Sequence, residues 1–115
     1  MAKYSLRTTD DFARDLERIA DHLTGSYRHF GEDDLTALAR VTLRVKGALS
    51  FLGRVAKLPH RGTRMPDLGP DIRRVTDDDF AFYFEIDEPH RQVRVLAVFF
   101  RGADHRQQVI ERLQA

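Results

Sequence analysis

The residues best suited to chemistry in this chain follow its last apolar stretch. The run Val93–Phe100 is apolar except for one arginine; Arg101 comes directly after it and His105 four residues later. Histidine is the side chain whose ordinary pKa lies near neutral pH, so His105 is the best candidate in the chain for transferring a proton. A guanidinium beside it could hold an anion. The pattern indicates a functional site at the cationic rim of a buried sheet.

A second cationic feature lies in the middle of the chain. Residues 54–76 contain six basic and two acidic side chains, a net charge of +4, whereas the whole chain has a formal net charge of +1. Such a local excess is typical of a contact with an anionic partner. Ordinary scatter of surface charge in an arginine-rich chain would look the same. The basic residues are Arg54, Lys57, Arg61, Arg64, Arg73 and Arg74.

The elements that must position these residues begin with a short strand and a helix. We expect a strand over Lys3–Arg7 and a helix that is capped by Thr8 or Thr9. Gly25 should end or loosen that helix, and the Tyr27 and Phe30 rings should then pack on the core. The residues Phe12, Leu16, Ile19, Ala20 and Leu23 recur at helical spacing and predict its buried stripe.

A second helix is predicted from Asp33 or Asp34 to about Ala56. Gly47 and Gly53 should allow it to pack closely against the first helix, which would give a helical hairpin. The residues predicted on its buried side are Leu35, Leu38, Ala39, Thr42, Val45, Leu49, Leu52 and Val55.

The second half of the chain reads as a loop, three strands and a helix. The stretch 58–70 has three prolines and two glycines, which indicates a long loop. The three runs IRRVT, FAFYFEI and VRVLAVFF are rich in β-branched and aromatic residues, as antiparallel strands are. A helix should start near Asp104, capped by that carboxylate. Because side chains alternate along a strand, only one of Arg73 and Arg74 can face a cleft.

The predicted fold class is α+β, in the order β-α-α-β-β-β-α, with a helical hairpin on one face of a small antiparallel sheet and a short C-terminal helix. A chain of 115 residues suits a single domain spanning 1–115. It contains no cysteine, so disulfides are excluded, and no apolar run is long enough to span a membrane. We expect a soluble cytoplasmic protein.

The sequence resembles toxins of the RelE/ParE superfamily, from bacterial type II toxin–antitoxin (plasmid stabilisation) modules. The resemblance follows the order of elements along the chain. It is strongest in LP-x-x-G, DLGPDIRRV, FYFEIDE and VRVLAVFF-x-x-x-DH. The resemblance implies a growth-inhibitory protein that is neutralised by a cognate antitoxin encoded by an adjacent gene.

Two activities are implied by this resemblance, since one fold serves both. RelE-like members cut messenger RNA on the ribosome, orienting the 2′-hydroxyl and stabilising the phosphate with cations. For that activity the resemblance places His105, Arg101 and Arg74 in the catalytic site. ParE-like members poison DNA gyrase and need no such set. An unrelated alternative is a non-toxic remnant that acts as a binding module.

Further contacts with nucleic acid or another target are predicted at Arg73, Arg61, Arg64 and Tyr83. Each has a plainer interpretation: the arginines as surface cations or antitoxin contacts, and Tyr83 as a core residue rather than a ring that stacks on a base. His105 could likewise be an exposed helix residue or pack on the aromatic strand.

One departure from the family pattern weakens the nuclease interpretation. Ala81 stands about where ribonuclease members commonly have a further arginine. Each missing donor of this kind can slow catalysis on the order of a hundredfold. The departure favours a ParE-like or other non-nucleolytic action, although His60, Arg61 or Arg64 could supply the missing charge. The histidines have no recognisable ligand spacing and the 77–79 aspartates read as a solvated turn, so we expect neither a metal nor a cofactor.

Overall fold

A five-stranded sheet carries three α-helices in the part of the chain that the computed structural model describes, residues 3–101 and 105–114. None of these helices has the length and apolar composition that crossing a bilayer requires. A short 3-10 turn spans Pro59–Arg61. The helices are α1 (Asp10–His29), α2 (Asp34–Lys57) and α3 (Arg106–Gln114), and the strands are β1 (Ser5–Thr8), β2 (Thr63–Arg64), β3 (Ile72–Asp77), β4 (Phe80–Asp87) and β5 (Gln92–Phe100).

The strand order in the sheet is β1-β5-β4-β3-β2. β3, β4 and β5 form the antiparallel meander predicted from the sequence, and β1 pairs in parallel with β5 at one edge. The two-residue strand β2 lies within the stretch that was predicted to be a loop, and it forms the opposite edge by pairing with β3. The α+β class and the order of the predicted elements are confirmed.

A β-bulge in β5 decides which of its side chains face the helices. Leu96 is an extra residue, because the pairing with β4 skips from Val95 to Ala97. The alternation of side chains therefore changes at Leu96. As a result Val95 and Val98 both face the helices, and Phe99 faces the opposite side of the sheet.

α1 and α2 cover one face of the sheet and bury the main core against it. α1 begins where the Thr9 hydroxyl accepts a hydrogen bond from the Phe12 N–H, at 3.2 Å, as an N-cap side chain does. α2 begins in the same way, with Asp33 accepting from the Thr36 N–H at 2.8 Å. The buried core residues are Phe12, Ala48, Leu52, Val55, Ala56, Phe80, Phe82, Phe84, Ile86, Val93, Val95 and Val98.

The end of α1 differs from the prediction. The helix continues through Gly25 and ends at His29. Gly31 follows two residues later, and its φ of +94° lies in the left-handed region that favours glycine after a helix. Phe30 does not pack on the core, because 81% of its surface is exposed. A glycine inside a helical pattern was therefore tolerated, and the one six residues later stops the helix.

The buried face of α2 also differs from the prediction. Leu52 and Val55 are buried as predicted, but Leu35 is 81% exposed, and Leu38, Ala39, Thr42 and Leu49 are exposed as well. The residues that α2 buries are mostly small: Ala37, Val41, Ala48, Leu52, Val55 and Ala56. Gly47 and Gly53 do not mediate close packing, since a Cβ added at either would meet nothing within 4 Å.

α3 packs on the other face of the sheet, which the helical hairpin leaves uncovered. Its buried residue Val109 contacts a second, smaller cluster that contains Tyr83 and Ala97. The predicted cap of this helix, Asp104, lies outside the described residues. This face of the sheet, with α3 beside it, carries the candidate site.

Candidate functional site

A cavity of about 120 Å³ lies at the rim of the sheet, where β3, the β3–β4 turn and the end of β5 meet the start of α3. Three of its lining residues are the predicted catalytic candidates Arg74, Arg101 and His105. The structure therefore brings these three side chains to one place. The full lining is Arg74, Thr76, Asp79, Phe80, Ala81, Arg101 and His105.

Strand register explains why Arg74 and not Arg73 lies in the cavity. Arg74 is paired across the sheet with Tyr83, on the face covered by α3, whereas Arg73 is paired with the core residue Phe84. Arg73 donates from Nη1 to the carbonyl oxygens of His60 and Gly62, at 3.1 and 2.9 Å. Its guanidinium therefore holds the chain between α2 and β2, which is a structural role.

The Arg74 guanidinium has no carboxylate partner among residues 3–101 and 105–114. Its Nε is buried and has no hydrogen-bond partner among the described residues. In the same part of the chain no carboxylate lies within 4.0 Å of it, and its Cζ lies 6.0 Å from the centre of the Tyr83 ring. A buried donor without an acceptor is unfavourable by about 1–3 kcal/mol. An anion in the cavity would relieve that cost.

Arg101 is held by the tight turn between β3 and β4. Asp78 and Asp79 adopt φ of 47° and 68°, the left-handed pair that a two-residue hairpin turn requires. The Asp79 carbonyl accepts from the Arg101 backbone N–H at 2.9 Å, and its carboxylate lies 3.3 Å from the Arg101 Nε. Arg101 itself has a φ of 50°. Its charge is thus partly neutralised by Asp79.

His105 packs on the aromatic strand, one of the positions that the sequence left open. Its ring lies parallel to that of Phe99, with ring centroids 4.0 Å apart and planes 5° from each other. Phe99 is on this face because of the bulge at Leu96. The same imidazole also lines the cavity. His105 therefore packs on the strand and at the same time lies beside Arg74 and Arg101.

The position of α3 depends on a buried ion pair that the sequence analysis did not identify. The Asp15 carboxylate on α1 is 5% exposed and accepts two hydrogen bonds from the Arg112 guanidinium, at 2.6 and 2.5 Å. It also accepts from the backbone N–H of Val98, at 3.1 Å. The hydrogen bond to Asp15 raises the pKa of Arg112 above its ordinary value, although burial opposes this. Asp15 lies between Phe12 and Ile19 on the apolar stripe of α1. A carboxylate in that position was the sign in the sequence that a buried ion pair forms there.

Chains of two solved structures share this fold. A chain of the toxin–antitoxin complex RelBE2 from Mycobacterium tuberculosis has a TM-score of 0.62 and 18% identity, with 87% of this chain and 100% of that chain covered. A chain of the chromosomal ParDE TA system from P. aeruginosa has a TM-score of 0.66 and 19% identity, with coverages of 87% and 98%. No family model and no curated protein matches the sequence.

The chain has the fold of these RelBE and ParDE chains. The predicted resemblance to the RelE/ParE superfamily is thereby confirmed for the fold, over most of the chain. The two matches carry names from both branches of the superfamily, and their scores do not separate the branches.

Tyr83 is a core residue, as the plainer of its two interpretations predicted. It is 3% exposed, and its ring packs edge-on against Phe99, with centroids 5.8 Å apart. No face of the ring is open, so Tyr83 cannot stack on a base in this structure. Tyr83 does not line the cavity, and its ring centre lies 6.0 Å from the Arg74 Cζ.

The remaining candidates lie away from the cavity. Arg61 lines a separate groove beside α2, and Arg64 is exposed on β2, on the same face of the sheet as Arg73. His60 is bound to Glu88, with Nε2 and Oε1 2.5 Å apart. None of these three residues lines the cavity beside Ala81, so they do not supply the cation that Ala81 lacks.

A metal site is not formed by the described residues, among which no cluster of three histidine, aspartate or glutamate side chains could hold an ion. The carboxylates of the β3–β4 turn instead bind arginines. Asp78 lies 3.3 Å from Arg44, and Asp79 lies 3.7 Å from Arg44 as well as contacting Arg101. The polar side chains that line the cavity offer two guanidiniums, one carboxylate, one imidazole and the Thr76 hydroxyl.

Proposed function

We propose that this chain is a growth-inhibiting toxin, neutralised by a cognate antitoxin encoded by an adjacent gene. The support is an analogy of fold: both neighbours named above come from toxin–antitoxin systems, and the fold is shared along nearly the whole of each chain. Either cellular target, the translating ribosome or DNA gyrase, would place the protein in the cytoplasm.

The cavity favours a RelE-like cut in RNA as the mode of action. The observation that carries this step is the buried Arg74 Nε, which has no acceptor in the described part of the chain, in a cavity shared with Arg101 and His105. The cavity is large enough for a phosphate group and too small for a whole nucleotide. Its cationic side chains therefore suit one phosphodiester that enters from outside.

In this proposal each of the three side chains has one role. Arg74 and Arg101 bind the non-bridging oxygens of the phosphate and stabilise the charge that builds up there. His105 takes the proton of the 2′-hydroxyl as its oxygen attacks phosphorus, and a solvent water gives a proton to the 5′-oxygen as it leaves. The P–O2′ bond forms and the P–O5′ bond breaks, so the products are a 2′,3′-cyclic phosphate and a 5′-hydroxyl.

Gyrase poisoning of the ParE type is the second candidate, and two features of the cavity favour it. Ala81 contributes only a methyl group where ribonuclease relatives commonly have an arginine. The Asp79 carboxylate also lies in the cavity and contacts Arg101. A phosphorane would thus meet the guanidinium of Arg74, which is not paired with a carboxylate of the described chain, and that of Arg101, whose charge Asp79 partly neutralises. Two such groups stabilise the transition-state charge weakly.

Induced expression in a bacterium, with and without the adjacent reading frame, tests the proposal. A toxin arrests growth alone and not with its antitoxin; normal growth in both cases would leave only the non-toxic binding module. RNA from arrested cells is then examined for breaks at codons, and DNA for gyrase-dependent breaks. We expect His105→Ala to abolish RNA breaks while leaving gyrase-dependent damage intact.

A matched control is His90→Ala. This histidine is exposed in the β4–β5 turn, where Nδ1 lies 2.9 Å from the Asp87 carboxylate. The substitution should leave RNA breakage unchanged. Retained cleavage in His105→Ala, or equal loss in both variants, would remove the imidazole from the proposed chemistry.

A further inference from the structure

A groove of about 470 Å³ runs along the last turns of α2, on the side of the sheet opposite the cavity. It is distinct from the cavity, and no residue lines both. Its floor is apolar, formed by Phe51, Val55, Leu58 and Val75. Leu58, which follows directly after α2, is 53% exposed. Apolar side chains at the bottom of a groove and polar ones at its rim are the arrangement found in many ligand-binding sites.

The rim of the groove is cationic and lacks counter-charges. Arg54, Lys57 and Arg61 line it, and within the described residues none of the three has a carboxylate within 4.0 Å. The Arg54 guanidinium instead lies 5.8 Å from the centre of the Phe51 ring.

The described chain has fourteen arginines besides Arg54 and Arg61. Eight of them form ion pairs with aspartate or glutamate: Arg14, Arg28, Arg40, Arg44, Arg94, Arg101, Arg106 and Arg112. The other six have no carboxylate within 4.0 Å among the described residues: Arg7, Arg18, Arg64, Arg73, Arg74 and Arg91. What distinguishes the groove is the placement of three unpaired cations around one apolar floor. It is complementary to an anionic partner.

We propose that this groove binds an acidic segment of another protein through one large apolar side chain. The anchor side chain would enter between Phe51 and Leu58, and carboxylates on either side of it would pair with the rim. The central apolar anchor would supply most of the affinity, and the rim charges would mainly set the association rate and the choice of partner.

An acidic protein segment fits the groove better than a nucleic acid does. Bases are bound by stacking on open aromatic faces, and Phe51 is the one aromatic ring on the floor. That ring already packs against Phe82, with centroids 5.6 Å apart, and against the Arg54 guanidinium. The aliphatic floor of Val55, Leu58 and Val75 offers a base nothing to stack on, and suits an aliphatic or aromatic anchor side chain.

The inference rests on the proposed function only in taking this partner to be the antitoxin. Because Val75 in the groove and Arg74 in the cavity are neighbours on β3 with opposite orientations, a partner could fill the groove and leave the cavity open. Contacts here would hold the partner without themselves blocking the proposed site of RNA cleavage.

Two synthetic peptides test the groove directly on the full-length protein. Both are fifteen-residue glutamate-rich peptides of about the same charge; one has a central tryptophan and the other has serine in its place. Binding is measured by fluorescence polarisation of a terminal dye. We expect the tryptophan peptide to bind at least about tenfold more tightly, and its affinity to fall as salt is raised.

Charge reversal separates the groove from general attraction. Arg54→Glu and Arg61→Glu should each weaken the binding of the tryptophan peptide by about tenfold. Leu58→Ser should reduce the difference in affinity between the tryptophan and the serine peptide. Lys46→Glu is the matched control, because Lys46 is exposed on the same helix outside the groove and its reversal changes the net charge equally. Little loss is expected there.

Three results would overturn the inference. Equal binding of the two peptides would mean attraction by charge alone, and equal loss in Lys46→Glu would mean that the groove is not the site. Tighter binding of a single-stranded RNA oligonucleotide than of either peptide, lost in the same groove variants, would make the surface a nucleic-acid site instead.

Growth assays keep this inference separate from the proposed function. If the protein does not arrest growth but the peptides bind as expected, the proposal of a binding groove is supported and the toxin proposal is wrong. If growth arrest and its reversal by the adjacent frame are seen while the groove variants bind the tryptophan peptide normally, the groove fails and the toxin proposal stands.

Discussion

Asp15 and Arg112 form a buried ion pair that joins the first helix to the last. The contact is bidentate, at 2.6 and 2.5 Å, and Arg112 also donates to the carbonyl of Leu96, at 3.2 Å. Asp15 accepts from the Val98 N–H as well, so one carboxylate links α1, β5 and α3. Since α3 contributes few buried residues of its own, this pair is the main polar restraint on the helix that begins beside His105.

We predict that Arg112→Met lowers the free energy of unfolding by about 3 kcal/mol, because it leaves a buried carboxylate without its cation. Urea denaturation measures this. Arg14→Met is the control: Arg14 pairs with Asp11 at 2.7 Å, but both side chains are about half exposed, so the loss should be below about 1 kcal/mol. Similar losses in the two variants would mean that the Asp15–Arg112 pair contributes no more than a surface contact.

A second prediction concerns Gly62, which lies between the 3-10 turn and β2. A Cβ built at this position would lie 2.8 Å from Cζ of Phe84 and 3.2 Å from Cβ of Arg73. Phe84 is fully buried and cannot move aside. We therefore expect Gly62→Ala to destabilise the protein by about 1–3 kcal/mol through overpacking.

Gly53→Ala is the matched control for that substitution. Gly53 lies inside α2, and a Cβ there would meet nothing within 4 Å. Because alanine favours the helix over glycine, this variant should be more stable by about 0.5–1 kcal/mol. Thermal or urea unfolding of the two alanine variants should thus move in opposite directions. Destabilisation of both would contradict the packing described for α2.

The sequence predicted the elements of this fold well and the faces of α2 poorly. Leucines at 35, 38 and 49 belong to a regular apolar spacing that continues into Leu52, and that spacing predicts one buried stripe. α2 has a second stripe of small residues, Ala37, Val41 and Ala48, and this is the one that packs against the rest of the protein. Periodicity locates apolar stripes but does not say which of two adjacent stripes meets the core.

The cavity could be predicted only in part, for a reason that lies in β5. Strict alternation would place Phe99 on the same face as Val93 and Val95. The extra residue Leu96 reverses the alternation, so Phe99 joins Tyr83 on the face of α3 and supports His105. A bulge inside an unbroken apolar run leaves no mark in the sequence. The alternation on β3, which has no bulge, predicted correctly that only one of its two arginines reaches the cavity.

A third prediction follows from the cap of α2. The backbone N–H of Thr36 donates to the Asp33 carboxylate and lowers its pKa below the ordinary value. A carboxyl whose pKa is lower in the folded state stabilises the fold at pH values above its unfolded pKa of about 4, and this stabilisation is lost as pH falls through the folded value. Asp33→Asn keeps a capping oxygen and removes the titration.

The measurement for this cap is the urea midpoint of both proteins between pH 6 and pH 2.5. The difference between wild type and Asp33→Asn should shift against the wild type below about pH 4, where the aspartate becomes protonated. All other carboxyls are common to the two proteins and cancel in the difference. A difference that is constant over this range would show that the Thr36 hydrogen bond does not depend on the charge of Asp33.

The last prediction separates the two neighbouring arginines of β3. Arg74→Met removes a buried donor that has no acceptor among the described residues, so the free energy of unfolding should stay within about 1 kcal/mol of wild type. Arg73→Met removes two hydrogen bonds to main-chain carbonyls, at 3.1 and 2.9 Å, and should lower that free energy by about 2 kcal/mol.

Anion binding should show the reverse order. A short 2′-O-methyl RNA cannot be cut through its 2′-oxygen, so its dissociation constant reports binding alone. Loss of one charge-assisted phosphate contact corresponds to about 10- to 100-fold weaker binding, and we expect that loss in Arg74→Met and little change in Arg73→Met at a temperature where both are folded. Since the two residues are adjacent and carry the same charge, a nonspecific electrostatic effect would weaken both variants equally. Equal weakening, or full binding by Arg74→Met, would rule out the cavity as the place where a phosphate is held.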